Sequence, residues 1–116
     1  MTDGGSLTLM SGGISSRPRV GAAMFTSILS GVEALAPALA LELAPVRVNC
    51  VTPGLVDTPL SNTGPDARAR LDARAAALPV KRIGQPEDIA QVILMLMQNA
   101  YLTGEVIHVD GGGRYV

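Results

Sequence analysis

Hydrophobic positions fall into short blocks separated by glycine and proline, plus one long run. Leu7-Thr8-Leu9-Met10 is a compact apolar run closed by Ser11-Gly12-Gly13, which predicts a buried strand. Gly13 to Gly21 carries Arg17, Pro18, Arg19 and two serines, and reads as a loop. Ala22 to Leu43 is apolar almost throughout, with Glu33 and Glu42 its only charges. Its length and its alanine and leucine content predict a helix, and Pro37 within it predicts a kink or break. Val46-Arg47-Val48-Asn49-Cys50-Val51 is β-branched and short, a strand stopped by Thr52-Pro53-Gly54. Pro65 to Leu78 lacks a strong apolar stripe and reads as a surface helix. Pro86-Glu87-Asp88 opens a second amphipathic helix through Ile89, Val92, Ile93 and Leu96. Glu105 to Val109 is a last strand, closed by Asp110-Gly111-Gly112-Gly113.

Strand, long helix, strand, two helices, strand is the order of two successive crossover units. It predicts an α/β chain with about three parallel strands, and right-handed connections would lay both crossover helices on one face. At 116 residues the chain has room for a single domain, 1–116. Apolar residues at 47% and charged residues at 16% exclude intrinsic disorder. A net charge of −1, with Phe25, Tyr101 and Tyr115 the only aromatics, argues against nucleic acid as a partner.

Cys50 and His108 are each the only residue of their type, which excludes an internal disulfide and a Cys/His zinc site. Met1 to Ser6 has no signal-peptide pattern, and Ala34 to Val48 is interrupted by Pro37, Glu42, Pro45 and Arg47. A soluble, cytoplasmic protein without membrane attachment is expected. Arg68, Arg70 and Arg74 lie close to Asp66 and Asp72, and read as a solvated mixed-charge face rather than an anion site. Ser11 lacks the first glycine of a nucleophile elbow, His108 reads as a packed strand residue and Cys50 as a small buried hydrophobe.

Four blocks, in order, resemble the short-chain dehydrogenases/reductases. Leu43 to Gly54 is similar to that family's "ELAP-IRVN-V-PG" block, and Val56-Asp57-Thr58 continues it. Arg82-Ile83-Gly84-Gln85-Pro86-Glu87-Asp88-Ile89-Ala90 resembles its "RxGxPEDIA" block. Tyr101-Leu102-Thr103-Gly104 with Val109-Asp110-Gly111-Gly112 resembles its "YxTGxxxxVDGG" ending.

The resemblance covers the C-terminal half of the family's domain. It implies a partial Rossmann-like, doubly wound fold and an NAD(P)-dependent oxidoreductase ancestry. The family's glycine-rich pyrophosphate turn belongs to the other half. The resemblance also implies a nicotinamide-end contact at Pro53, Gly54, Val56 and Thr58, vestigial here, so no cofactor is expected to bind the isolated chain.

Family catalysis uses a tyrosine whose phenol is acidified by a lysine four residues on, with an upstream serine on the substrate oxygen. Alignment on Val32-Glu33-Ala34-Leu35 sets these positions at Phe25, Leu29 and Gly12. A phenyl ring has no proton to transfer and an isobutyl group no charge. Lys81, the only lysine, has no tyrosine four residues before it, so the Tyr-x-x-x-Lys pair is absent.

The expectation is a catalytically degenerate, truncated chain. The apolar Ala22–Leu43 helix and the open Leu7–Met10 edge lead to self-association or pairing with a full-length relative. The alternative is one half of a split or proteolysed oxidoreductase whose dinucleotide-binding half is on another chain.

Overall fold

The structure is a computed structural model that describes residues 4–116. Strands β1 (Ser6–Met10), β2 (Arg47–Pro53) and β3 (Val106–Val109) form a parallel sheet in the order β1-β2-β3. Leu9 pairs with Cys50, and Cys50 in turn with Val106. Helix α1 (Ala23–Glu42) joins β1 to β2, and α2 (Ala67–Ala77) and α3 (Pro86–Gln98) join β2 to β3. The predicted fold class holds: three parallel strands with crossover helices.

The expected placement of both crossover helices on one face is wrong. Ala36 of α1 packs on Val48 and Cys50, whereas Ile89 and Leu96 of α3 pack on Val51. Successive β2 residues point to opposite faces, so α1 and α3 cover opposite sides of the sheet. The sheet advances in one direction, so its two crossovers have opposite hand and one departs from the right-handed rule. The physical reason lies in β2, whose residues from Arg47 to Thr52 are all buried. A central strand buried on both faces needs a helical layer on each side.

Helix α1 runs without interruption through Pro37, so the predicted break does not occur. Ala36, Val32 and Leu39 pack into one cluster across the proline, and tertiary packing holds the helix where propensity would end it. The 20-residue helix is also long and apolar enough to cross a membrane by length and composition, which the interrupted 34–48 window did not reveal. Here it lies against the sheet. Helix α2 is shorter than the predicted 65–78, and Leu71 and Leu78 pack with Ile83 in a satellite cluster.

Two polar networks tie the layers together. On the α3 side, the buried Arg47 side chain donates to the carbonyls of Leu96 (2.6 Å), Met97 (2.9 Å) and Leu102 (3.3 Å). It thereby supplies donors to a helix C-terminus whose last carbonyls have no partner within the helix. Asn49 Nδ2 donates to the Leu102 carbonyl (3.0 Å), and the Glu105 amide donates to Asn49 Oδ1 (3.0 Å).

On the α1 side, Glu33 Oε1 accepts from the hydroxyls of Ser15 and Thr52 (2.9 Å for Thr52) and lies 3.1 Å from Ser11 Oγ. One carboxylate thus links the end of β1, the following turn, α1 and β2.

The radius of gyration is 15.4 Å, against about 13 Å for a compact domain of this length. The molecule measures 48 × 29 × 24 Å, longer than a sphere-like packing would give.

Candidate functional site

The carboxyl ends of the three strands meet at one edge, where open α/β sheets bind their ligands. The Ser11 amide donates to the Val51 carbonyl (2.9 Å), and the Gly54 amide donates to the Val109 carbonyl (2.9 Å). These bonds bring the turns after β1, β2 and β3 side by side.

Gly54 is required by that closeness. A Cβ there would stand 2.7 Å from Asp110 Cα and Cβ, a distance that real side chains do not tolerate. Gly112 has a left-handed φ of +84°, and its Cβ would stand 2.5 Å from Pro79 Cγ. The glycines of the "PG" and "VDGG" blocks therefore allow a close approach between turns.

Asp110 accepts from the amides of Gly112 (3.0 Å) and Arg114 (3.3 Å). Its carboxylate pins the last turn and makes no bond to His108. On β3, His108 pairs in register with Thr52, as a strand residue. Cys50 is fully buried beside Ala36 and Val48, and burial pushes its thiol pKa up.

Two of the three positions matching the family's catalytic residues lie together. A Cβ on Gly12 would stand 3.2 Å from Leu29 Cδ1, and Ser11 Oγ donates to the Leu29 carbonyl (2.9 Å). Phe25, one turn earlier on α1, is 66% exposed. No general acid or charged tuner stands at these positions. Ser11, next to Gly12 in the chain, is engaged by Leu29 and Glu33.

The Pro53–Thr58 loop is well held. Val56 forms a parallel bridge with Gly84, and the Asp57 amide donates to the Gly84 carbonyl (2.8 Å). The Thr58 amide donates to Ser61 Oγ (3.0 Å), and Ser61 Oγ donates to the Val56 carbonyl (2.5 Å). Among the described residues no group bonds the Thr58 hydroxyl, so it is available to a ligand. The "RxGxPEDIA" block braces this loop from behind. Asp88 accepts from both Arg82 terminal nitrogens (2.7 and 2.9 Å) and from the Gln85 amide (2.7 Å). Those donors hold its carboxyl pKa down at about 2.

Beside the loop opens a cleft of about 800 Å³, lined by Gly13, Gly54 and the side chains of Arg17, Arg19, Arg74 and Arg114. The mixed-charge reading of the α2 arginines holds for Arg68, which pairs with Asp57 (2.9 Å) and Asp72 (3.2 Å). Arg70 instead caps the carbonyls of Pro65 (2.8 Å) and Thr63 (2.9 Å). Arg74 is exposed and lines the cleft. The convergence of Arg17, Arg74 and Arg114 leaves no trace in local spacing, since the three lie on different elements.

A parallel sheet wound on both faces, with its strand ends gathered around a ligand-sized cleft, defines the class: one part of a doubly wound nucleotide-type α/β fold. Residues 1–114 match the family model described as enoyl-(acyl carrier protein) reductase, and the chain belongs to the short-chain dehydrogenase/reductase family.

It is 38% identical over 111 residues to short-chain dehydrogenase/reductase ATR9 of Stachybotrys chlorohalonatus, covering 92% of this chain and 43% of that protein. It is 41% identical over 87 residues to the 3-oxoacyl-[acyl-carrier-protein] reductase FabG of Thermotoga maritima, covering 72% of this chain and 35% of that one. A crystal structure of a small-chain dehydrogenase in complex with NADPH superposes with a TM-score of 0.94 at 38% identity, covering 100% of this chain and 54% of that chain. The chain thus spans less than half the length of these curated relatives.

Proposed function

We propose that this chain forms the C-terminal half of a short-chain oxidoreductase fold, is catalytically silent by itself, and works through association. The observation that carries the reading is the combination on α1: Phe25 and Leu29 at the proton-transfer positions, on a helix whose only buried residue is Ala36. Met24, Phe25, Ile28, Leu35 and Leu41 are between 47% and 83% exposed, an apolar surface that favours coverage by protein. The open edge of β1 offers backbone groups to a further strand.

The residues present fit the nicotinamide end of a dinucleotide, with Pro53, Gly54 and Val56 supplying backbone and Thr58 an unengaged hydroxyl. The glycines between β1 and α1 do not have the spacing of a pyrophosphate turn. A nicotinamide cofactor held there with the help of another chain would supply or take a hydride; Pro53, Gly54, Val56 and Thr58 would orient it, and Phe25 has no proton to move.

Sedimentation velocity over a hundredfold dilution, with NADH and NADPH titrations in the same buffer, tests the reading. A concentration-dependent oligomer without tight dinucleotide binding is expected. A stable dilute monomer, or tight NAD(P)H binding by the chain alone, overturns it. A second reading is favoured by the likeness to an NADPH-bound dehydrogenase: the chain completes a dinucleotide-binding half carried elsewhere. Recovery of NADPH binding on mixing with a polypeptide carrying a glycine-rich strand–turn–helix would select it.

A further inference from the structure

We infer that the cleft at the carboxyl ends of the strands binds a small organic anion, a carboxylate or phosphate ester attached to an apolar body. Half of the chain's eight arginines line this one cavity, although the whole chain carries a net charge of −1. Asp110 is the only side-chain carboxylate among the lining residues, and it is engaged by two backbone amides and approached to 4.0 Å by Arg114 Nε.

Arginines elsewhere are matched: Arg68 and Arg82 by aspartates, Arg47 and Arg70 by carbonyls. In the cleft, Arg17 donates only to the Gly113 carbonyl (3.1 Å), and among the described residues neither Arg19 nor Arg74 has a side-chain acceptor. Arg114 Nη1 is buried and has no hydrogen-bond partner among the described residues. A guanidinium nitrogen withdrawn from water without an acceptor is costly, and native structures leave few such groups. An anionic oxygen in the cleft supplies the acceptor, and planar guanidinium forks suit carboxylate and phosphate geometry.

Shape agrees with charge. The volume of about 800 Å³ falls within the range of small-molecule sites. Ile14, Leu55, Leu78 and Val116 line it between the arginines, so the ligand needs an apolar body as well as a charged head. The inference concerns binding by these side chains. It stands whether or not the chain takes part in hydride transfer.

Isothermal titration calorimetry on the full chain, with hexanoate, hexyl phosphate and hexan-1-ol as probes, tests it. At least one anion should bind about tenfold more tightly than the alcohol, and more weakly as salt rises. The two anion arms separate carboxylate from phosphate recognition. Arg74→Ala and Arg19→Gln should each weaken that anion about tenfold, while Arg68→Ala, outside the cleft, should change nothing. Circular dichroism of each variant confirms folding, and the two exposed positions, Arg19 and Arg74, spare the test from reliance on Arg114. Equal binding of alcohol and anions, no anion binding, or full affinity in both cleft variants overturns the inference. An NADPH titration alongside keeps the two readings apart, because hexanoate binding without NADPH binding bears only on the cleft.

Discussion

The two faces of the sheet are closed by different means. On the α3 face, a 13-residue helix buries Ile89 and Leu96, and β2 reaches over with Arg47 and Asn49 to hold the helix end and the following turn. On the α1 face, a helix of 20 residues buries only Ala36 and leaves five large apolar side chains in solvent. The first face is sealed to β2 within the chain, while Leu94, Met95 and Met97 stay exposed on the outer side of α3. The second has an internal anchor in Glu33, but its outer apolar side chains stay in solvent. High apolar content therefore has two meanings in one molecule, core on one side and uncovered surface on the other.

The contrast breaks most sharply at Arg47. Arg47→Ala withdraws the donor from three carbonyls at the end of α3 and the turn beyond, and should cost about 3 kcal/mol in urea unfolding. A loss below about 0.5 kcal/mol would show that water replaces the side chain and that the α3 face is not sealed by it. Glu33→Ala should cost about 2 kcal/mol, because the Ser15 and Thr52 hydroxyls lose their shared acceptor. Glu33→Gln keeps one oxygen and should cost less in the same assay.

On the outer side of α1, the order of effects reverses. Met24→Ser, Ile28→Asn and Leu41→Gln together should leave the stability of the dissociated chain within about 1 kcal/mol, since these side chains are exposed. The same substitutions should shift the sedimentation boundary to monomer. Unchanged association would place the interface elsewhere, with the β1 edge next to examine.

The smallest effect concerns pH. Asp88 has a carboxyl pKa of about 2 in the folded chain, below the ordinary value of about 3.9. A depressed folded pKa contributes stability that is complete above the unfolded value and is lost as pH falls toward the folded one. The gap in urea midpoint between the native chain and Asp88→Asn should therefore be steady near neutrality and close between about pH 4 and pH 2. A gap independent of pH over that window would show that the Arg82–Asp88 pairing is not populated in solution.

Much of this was legible beforehand. Leu7–Met10, Val46–Val51 and Glu105–Val109 lie within a residue or two of the strands, because short β-branched runs bounded by glycine and proline carry local information. Pro86-Glu87-Asp88 marked the start of α3 for the same reason. Pro37 misled, because packing around Ala36 overrides a local penalty. The cleft arginines stayed hidden because Arg17, Arg74 and Arg114 meet only once three strand ends are brought together.

The sequence by itself determined the elements, their parallel order and the family, since periodicity, turn residues and spaced motifs act at short range. By the resemblance, Phe25 and Leu29 stand at the positions of the family's tyrosine and lysine, and neither side chain can do their chemistry. Only the tertiary structure decided which face each helix covers, what Arg47 and Glu33 bind, and that four arginines line one cavity. Those outcomes depend on distances between segments far apart in the chain, and such distances are fixed by packing the whole sheet at once.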